Sequence, residues 1–480
     1  MTHCQQPSKA RGALAAFFFS FTLPLVLAPA LVLASALVLV VGDCKVAQAS
    51  QIAAAPTAGA TPSLGTPTLT QQFPNGLTVV ARKAGAAPVV ALEVWIRCPS
   101  NDYDSSRPGI ARLAALALLD EKSATSLSLR DATRIAGGQI AVSVYYESTE
   151  IAILAPSYAA PALLDKLSAT TARPYVDQAA FDSARTRLAA GQVAAGGVVD
   201  QQLRDALFTQ LFASGPLRDS TYGYPRNLKD MTLADVTKFL GRAYVPESEF
   251  VVVAGDQDPH DVLKHVLPLT TAGAPAQPMP NSQTAPSGAP FGIRSDQTAL
   301  NGVALGWIGP PIEDERAATA MDFLSDYLAH EGDGTLVKTI AAVDSAADFN
   351  GQFITLRNPG VFYLTVSGQQ FDPATVPGII RSAMQSAVGH EFSKSDFARA
   401  RDAFVTHLLR DMQTDEALAD NYGWYFAQGA LPYSPSATDV ALSGDYFDRV
   451  SSLTPDYVYS IAKKYVLVNP TIVVLPRSSK

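Results

Sequence analysis

The sequence predicts an α+β fold in which one 480-residue chain contains two similar halves. The first observation is a repeat: DVTKFLGRAYVPESEFVVVAG from Asp235 aligns without a gap with DYVYSIAKKYVLVNPTIVVLP from Asp456. A second repeat relates FDSAR at Phe181 to FARAR at Phe397, with nearly the same spacing along the chain. The third observation is that each half combines apolar or alternating segments, which are typical of strands, with segments of helical periodicity.

The N-terminal segment predicts export. Two basic residues precede an apolar run over residues 13–41, and small residues lead up to Ala49. This order is typical of a secretory signal peptide, so residues 1–49 are predicted to be a leader that is cleaved after Ala49. The run of about 29 residues is also long enough to span a bilayer, which leaves an uncleaved anchor as the alternative. The protein is therefore expected to be periplasmic or secreted, or else anchored in the inner membrane and facing the periplasm.

The first domain is assigned to residues 73–270. It follows a segment, residues 50–72, whose Ala, Pro, Thr and Gly content predicts a flexible tether. Asn75-Gly76 predicts a hairpin turn, and strands are predicted over residues 77–82 and 89–98. A helix is predicted from Pro108, because proline is favoured in the first helical turn. Its predicted buried face consists of apolar residues: Ile110, Leu113, Ala114, Ala117 and Leu118.

Further strands and helices complete the two halves. The remaining elements of the first domain are predicted over residues 127–135, 139–146, 150–155, 158–170, 177–205, 232–244 and 250–254. Glycines at 191, 196 and 197 predict either a break in the helix over residues 177–205 or a flexible substrate-contacting segment. Residues 271–297 are rich in Pro and Ala and are assigned as a linker, and residues 298–480 form the second domain. There, residues 303–308 correspond to the strand over 90–96, and residues 316–330 to the helix that begins at Pro108.

Charge and cysteine content exclude several classes of protein. The net charge is −8 and the pI is about 5.3, and no basic patch with interleaved aromatic residues is present, so nucleic-acid binding is not expected. Two of the three cysteines fall within the leader, which leaves Cys98 without a partner for an internal disulfide. Because Cys98 lies in an apolar strand, we interpret it as a small buried hydrophobic residue.

Several of these segments resemble one known family. NGLTVVARK and APVVALEVWIR in the first hairpin, the Gly137-Gly138 turn and the loop GPLRDSTYGYPRNL resemble the insulinase-like (M16, pitrilysin-type) zinc peptidases, and the M16B-like group in particular. The resemblance implies two duplicated M16-type (LuxS/MPP-like) domains. Each would be an antiparallel-rich sheet packed with helices, and together they would form a clamshell half with a cavity between them.

The resemblance also implies a zinc site, and the sequence lacks its ligands. The family's His-x-x-Glu-His motif falls on Arg112, Ala115 and Leu116. None of these side chains offers a lone pair to zinc or a proton acceptor to a zinc-bound water. The family's third ligand, a Glu, falls near Ala190-Gly191. We therefore expect no catalytic residue and no metal here. Arg112 itself is expected either to extend into solvent or to pair with a carboxylate of a partner or a peptide.

Substrate-binding and alternative metal-binding residues are not evident either. The Arg and Tyr with which the family contacts substrate fall on Ala341 and Asp348, so no substrate-binding residue is assigned. No Gly-x-Ser-x-Gly elbow or phosphate-binding loop is present. The histidines do not predict a replacement metal site, because they are widely spaced or lie near helix ends. They are His3, His260, His265, His330, His390 and His407.

The resemblance, together with the missing ligands, implies a non-catalytic subunit that pairs with an active zinc metallopeptidase of the same family and helps to form its peptide-binding chamber. Zinc is expected only in that active partner. The expected partners are an active M16 subunit or a second copy of this chain, together with unfolded peptides. Two alternatives stay open: a peptide-binding or structural scaffold without a peptidase partner, and a zinc metalloendopeptidase with relocated ligands.

Overall fold

The computed structural model describes residues 68–84, 87–104, 107–122, 126–266, 273–295, 298–428 and 442–477. The predicted leader over residues 1–49, the alternative anchor and most of the predicted tether lie outside these described residues. Among the described residues, no helix combines the length and the apolar character needed to cross a membrane.

The first half contains seven strands and eight helices in its described part. The strands are β1 (Thr68–Gln72), β2 (Thr78–Lys83), β3 (Val89–Arg97), β4 (Gln139–Val144), β5 (Ser148–Pro156), β6 (Phe212–Ser214) and β7 (Glu249–Gly255). The helices are α1 (Ile110–Asp120), α2 (Leu129–Ile135), α3 (Ala160–Ala172), α4 (Gln178–Gly196), α5 (Val199–Leu211), α6 (Pro225–Asp230), α7 (Leu233–Ala243) and α8 (Pro259–His265).

The remaining described residues add six strands and seven helices. The strands are β8 (Gln283–Thr284), β9 (Phe291–Gly292), β10 (Asn301–Ile308), β11 (Asp348–Ile354), β12 (Val361–Gly368) and β13 (Thr471–Leu475). The helices are α9 (Glu315–Ala329), α10 (Thr335–Val343), α11 (Val376–Val388), α12 (Lys394–Asp411), α13 (Asp415–Ala427), α14 (Leu442–Ser451) and α15 (Pro455–Ile461).

Each half is built on an open, mostly antiparallel sheet. The first has six strands in the order β1-β2-β7-β3-β5-β4, of which only β2 and β7 pair in parallel. The second has five strands in the order β11-β12-β10-β13-β9, of which β13 and β9 pair in parallel. This arrangement confirms the prediction of an α+β fold with antiparallel-rich sheets.

Both faces of the first sheet are buried, and alternate residues of each strand serve different cores. On β3, Val90, Leu92 and Val94 point toward the helices of the first half, including α1 and α3. Ala91 and Trp95 point the other way, into a core that the two halves share. Because side chains alternate across a strand, the strand must be apolar on both faces. The near-continuous apolar sequence of β3 meets that requirement.

The two halves exchange equivalent helices. Helix α5 of the first half packs on the second sheet, where Leu203 and Leu207 contact the strand next to Gly302 and Gly306. Helix α13 of the second half packs on the first sheet, with Gly423 against Trp95. The register of the FxxAR repeat also aligns the start of α4 with that of α12, and the start of α5 with that of α13. The structure therefore confirms the duplication.

The structure differs from the sequence-based boundaries in three places. Residues 68–72, assigned to the tether, form β1, because this short polar segment pairs with the otherwise free edge of β2. The linker contributes β8 and β9, which pair with β6 and β13. The helix predicted over residues 177–205 is two helices, since Gly196 and Gly197 end α4. This helix break is one of the two outcomes that the sequence predicts for these glycines.

Two residues next to strands of the first sheet, Cys98 after β3 and Glu249 at the start of β7, have buried acidic side chains. Cys98 is fully buried, and burial raises the pKa of its thiol to about 12, so it is a packing residue as the sequence predicts. Glu249, at the start of β7, is 1% exposed, and neither carboxyl oxygen has a hydrogen-bond partner among the described residues. Burial raises the pKa of Glu249 to about 8.

Replacing Glu249 by glutamine is expected to flatten the pH dependence of stability. The folded chain keeps this carboxyl protonated up to about pH 8, whereas the unfolded chain loses the proton near pH 4.3. The free energy of unfolding therefore falls as pH rises between these two values. Relative to the natural chain, Glu249→Gln should be equally stable at pH 4 and more stable by on the order of 2–4 kcal/mol at pH 8.5.

Urea unfolding at the two pH values measures this difference. Glu313→Gln is the control, because Glu313 is exposed and its replacement should leave the slope unchanged. An equal pH dependence in the Glu249→Gln variant and the natural chain would contradict the assigned role of the buried carboxyl.

Candidate functional site

Helix α1 carries the positions at which the sequence predicts the lost zinc motif. The helix forms as predicted and buries its apolar side chains against the first sheet. Arg112 and Leu116 are four residues apart and so share one helical face, as two metal ligands would. Ala115 is fully buried, whereas Arg112 and Leu116 are half-buried. The scaffold of the motif is present, but the side chains are a guanidinium and two hydrocarbons.

The guanidinium of Arg112 lies against protein rather than in solvent. Its Cζ atom is 4.0 Å from the centre of the Tyr222 ring, a cation–π contact. Its Nη1 and Nη2 atoms donate long hydrogen bonds, each 3.5 Å, to the carbonyl oxygens of Val142 and Val144 on the edge strand β4. Among the described residues, no carboxylate lies within 4.0 Å of the guanidinium. The expectation that Arg112 extends into solvent is therefore wrong, because Tyr222 and β4 hold it.

Arg112 also affects the edge of the first sheet. Val142 and Val144 lie two apart on β4, the outermost strand, so their carbonyl groups share an orientation. Donors from Arg112 partly satisfy carbonyl groups that an added strand would otherwise use. Burial lowers the pKa of Arg112 from its ordinary value, and the nearby hydroxyls of Tyr222 and Tyr145 counteract this shift. An arginine stays a cation at any usable pH even so.

Tyr222 connects α1 to the predicted position of the third ligand. Two atoms of its ring lie 3.6 and 3.8 Å from the place where a Cβ atom on Gly191 would be. The Nε2 atom of Gln192 donates a 2.9 Å hydrogen bond to the Tyr222 carbonyl oxygen. One aromatic ring therefore contacts both Arg112 on α1 and Gly191 on α4. A Cβ atom at position 191 would make an ordinary van der Waals contact with the ring.

These residues do not fit zinc. Three or four nitrogen, sulfur or carboxylate donors are needed, and Arg112, Ala115, Leu116 and Ala190-Gly191 supply none. The fixed positive charge of Arg112 would also repel a cation. A metal-dependent step has no ligands to support it at this position.

Two glycines hold Tyr222 in place. Gly109, which precedes α1, and Gly223, which follows Tyr222, both adopt left-handed backbone conformations, with φ of +91° and +65°. A Cβ atom on either glycine would lie 3.0 Å from the Cα atom of the other, and one on Gly223 would also overlap the carbonyl group of Pro108. The loop that contains Tyr222 is thus pressed onto the start of α1.

Removing the Tyr222 ring is expected to destabilise the folded chain, and the size of the loss should depend on whether Arg112 is present. A partly desolvated cation–π contact contributes about 1–2 kcal/mol, so a double-mutant cycle with Tyr222→Ala and Arg112→Met should give a coupling energy of that size. Arg185→Met with Phe181→Ala is the comparison, because Arg185 is more exposed and lies 5.5 Å from its ring. Urea unfolding of the four variants in each cycle measures both energies. The contact would be contradicted if the coupling energy of Arg112 and Tyr222 were zero, or if it were equal to the coupling energy of Arg185 and Phe181.

The predicted substrate-contact positions lie in the second half. Ala341 is in the last turn of α10 and Asp348 is the first residue of β11, and both are exposed. The loss of the family's substrate-contacting chemistry at both positions stays a prediction.

Sequence reasoning missed a polar network where α5 meets the second sheet. Gln352 Nε2 donates a 2.7 Å hydrogen bond to the hydroxyl of Tyr363, which also lies 3.5 Å from Arg204 Nη1. The hydroxyl of Thr365 bonds to the carboxylate of Asp200. Burial raises the pKa of the neighbouring Asp205 to about 6, although a hydrogen bond from Ser220 opposes this shift. The sequence signal for this network was the spacing of Asp200 and Arg204, which lie four residues apart on α5.

A second missed cluster lies at the end of α9. The imidazole rings of His330 and His407 stack with centroids 3.5 Å apart and planes within 5° of parallel. Asp326 and Asp333 bond to these rings. The spacing of Asp326 and His330, one helical turn apart, was a signal, but nothing in the sequence indicated the approach of His407.

The family model described as the peptidase M16 inactive domain matches residues 230–404. Residues 230–404 are therefore similar to the inactive domain of the M16 peptidase family. This finding confirms the resemblance stated from the sequence, and the match identifies an inactive M16 domain. No curated protein is significantly similar in sequence to this chain.

Solved structures support the M16 fold. A protease from Helicobacter pylori superimposes with a TM-score of 0.74 and 17% identity, covering 85% of this chain and 99% of the other. A peptidase M16 inactive domain from Pseudomonas fluorescens gives 0.70 and 15%, with 86% and 98% covered. A chain of complex III2 from Candida albicans gives 0.67 and 13%, with 85% and 94% covered. At these identities the likeness shows the fold alone.

Proposed function

We propose that this chain is a non-catalytic M16-family subunit that pairs with an active zinc metallopeptidase of the same family. In this proposal the chain contributes one wall of the chamber that encloses an unfolded peptide, and its partner supplies the zinc. The observation that carries the proposal is the contact between Arg112 and Tyr222, on the helix that the resemblance aligns with the family's zinc motif. The match to an inactive domain supports it as well.

The described geometry favours a binding role over a catalytic one. Peptide hydrolysis by this family needs a metal-bound water and a carboxylate base beside it. On α1 and α4 the corresponding positions are Arg112, Ala115, Leu116 and Gly191, which cannot supply either group. The chain still keeps both sheets and the helices that cover them, so its surface remains available to shape a chamber.

Co-purification and peptide cleavage test this proposal. The full chain, tagged and recovered from its native host, is expected to bring down a chain with an intact His-x-x-Glu-His motif. Alone, the full chain supplied with zinc should cleave no denatured-protein substrate above background. Added to the partner, it should raise the partner's kcat/KM by at least about tenfold, which corresponds to about 1.4 kcal/mol. Chelator-sensitive cleavage by the chain alone would overturn the proposal.

A structural scaffold without a peptidase partner is the second candidate. The similarity to a chain of complex III2 from Candida albicans favours it. In that case the chain should co-purify as a dimer of itself or with proteins that lack a zinc motif. Its addition should then leave the cleavage rate of any M16 peptidase unchanged.

We also propose that the chain is exported. The order of basic, apolar and small residues over residues 1–49 supports a cleaved leader. Mass spectrometry of the mature N-terminus distinguishes the two forms: a chain that begins at Ser50 indicates cleavage, whereas an intact N-terminus in the membrane fraction indicates the anchor over residues 13–41.

A further inference from the structure

We propose that the second half binds one divalent transition-metal ion, of the zinc class, between the end of α9 and helix α12. The donors are Asp326 and His330 at the end of α9, Asp333 in the turn that follows, and His407 on α12. This inference goes beyond the proposed function, since the site is far in sequence from α1 and its role is structural. It departs from the sequence-based expectation that the histidines form no metal site.

The geometry places suitable donor atoms together. A nitrogen of each imidazole and a carboxylate oxygen of Asp326 all lie within 4.8 Å of one another. Both carboxylate oxygens of Asp326 are 3.0 Å from His407 Nδ1. Asp333 approaches both rings, with its oxygens 2.8 Å from His330 Nδ1 and 3.6 Å from His407 Nε2. Four donor residues thus meet at one place.

Burial favours a built site over a chance surface cluster. The side chains of His330, Asp326 and His407 are 4%, 5% and 12% exposed, and only Asp333 is substantially open, at 55%. Asp326 and His330 lie one turn apart on the same helical face, a spacing that lets two side chains reach one ion. The open Asp333 provides a path from solvent.

The donor chemistry selects the metal. Two imidazoles with one or two carboxylates are typical of zinc and of the cobalt and nickel ions that replace it, whereas calcium and magnesium prefer oxygen alone. The bond between Asp326 and His407 Nδ1 leaves Nε2 directed toward Asp333. When an ion binds, Asp326 and His407 Nδ1 would share it in place of this hydrogen bond.

The charges around the rings agree with a bound cation. The stacked rings lie 3.5 Å apart, and the carboxylates of Asp326 and Asp333 contact them, which places negative charge beside the donor nitrogens. Asp411 lies close enough to the rings to interact electrostatically with them, and it adds to the negative charge. Arg410 places a cation beside the other ring nitrogen, with its Nη2 atom 3.3 Å from His330 Nε2. The ion is therefore assigned to the Nδ1 side of His330.

The two halves use equivalent helices differently. Helix α12 matches α4 in the register that aligns Phe181 with Phe397, so His407 corresponds to Gly191. In the first half that position contacts Tyr222, and in the second it presents an imidazole to His330. An ion at the second position would join α9 to α12 and stabilise the second half.

Metal titration of the full chain tests this inference. After treatment with a chelator and dialysis, the chain is titrated with Zn²⁺, and with Co²⁺ as a spectroscopic probe. We expect one equivalent to bind, a raised Tm, and the visible absorption of Co²⁺ with nitrogen and oxygen ligands. His407→Gln should abolish all three changes. Asp333→Asn, at an exposed position that should not affect folding, should weaken binding by about tenfold or more.

The control is His265→Gln. His265 forms a comparable contact with Asp165, 2.8 Å long, on the surface of the first half, but it lacks a second histidine. This variant should bind the metal as tightly as the natural chain. Absence of binding, or equal binding by His407→Gln, would overturn the inference. Peptide cleavage by the metal-loaded chain that is lost in His407→Gln would overturn the structural role and support relocated catalytic ligands.

Discussion

Replacing Gly423 by alanine is expected to destabilise the chain by about 3 kcal/mol or more. Gly423 lies in the middle of α13, and a Cβ atom there would overlap the indole ring of Trp95 on β3. Trp95 is 1% exposed, and its Nε1 atom donates a 2.7 Å hydrogen bond to the buried Glu93. The ring cannot move aside without breaking that bond, so α13 must shift away from the first sheet.

The same shift would disturb the other contacts of α13 with the first sheet. Phe426 stacks on Phe250 with ring centroids 4.2 Å apart, and its carbonyl oxygen accepts a 2.8 Å hydrogen bond from Arg97. Because this helix belongs to the second half, the substitution weakens the association of the halves as well as local packing. The expected loss of stability is therefore global and should appear as a lower urea midpoint.

Gly241→Ala is the matched control for this prediction. Gly241 is exposed on α7, and a Cβ atom there would meet nothing within 4 Å. Alanine is the better helix former, so this variant should be more stable by up to about 1 kcal/mol. If Gly423→Ala does not fold, its cost can be measured in a Trp95→Phe background, where the smaller ring should reduce it. Equal effects at positions 423 and 241 would contradict the close approach of α13.

Replacing Gly223 by alanine is the second substitution with a large expected effect, about 3 kcal/mol. The left-handed φ of +65° disfavours any residue with a Cβ atom, and the added atom would overlap the Pro108 carbonyl. Backbone cannot rotate away as a side chain can, so the loop must lift from α1. Tyr222 would then leave Arg112, and the loop should become more sensitive to proteases.

Gly332→Ala separates strain from overlap. Gly332 also has a left-handed conformation, with φ of +93°, but a Cβ atom there would meet nothing within 4 Å. Gly332→Ala should lower the free energy of unfolding by about 1 kcal/mol, because only the backbone strain contributes. Limited proteolysis should cut residues 215–224 faster in Gly223→Ala than in Gly332→Ala. Equal stability and equal cleavage of the two variants would show that the loop is not pinned at this point.

Local sequence patterns were sufficient for much of the fold. The apolar strand β3, the helix α1 and the repeat that relates α4 to α12 were all predicted, because periodicity and register are local properties. The absence of zinc ligands followed from the identities of Arg112, Ala115 and Leu116 alone. The exchange of α5 and α13 between the halves was not predicted, because the apolar surface of a helix does not state which sheet will cover it.

The contacts within the site were harder to predict for the same reason. Arg112 and Tyr222 are far apart in the sequence, and no spacing rule relates a helix to a later loop. His330 was interpreted as a helix-end residue, and the ring of His407 reaches it only through the packing of α9 on α12. Tertiary packing decides such contacts, and one sequence does not encode them in a pattern that can be recognised.

Anomalous scattering at the zinc absorption edge, from crystals of the full chain grown with zinc, tests the central claim most directly. The account predicts electron density for the Tyr222 ring against Arg112 and no anomalous peak between α1 and α4. A peak there, held by side chains of α1 and α4, would contradict it.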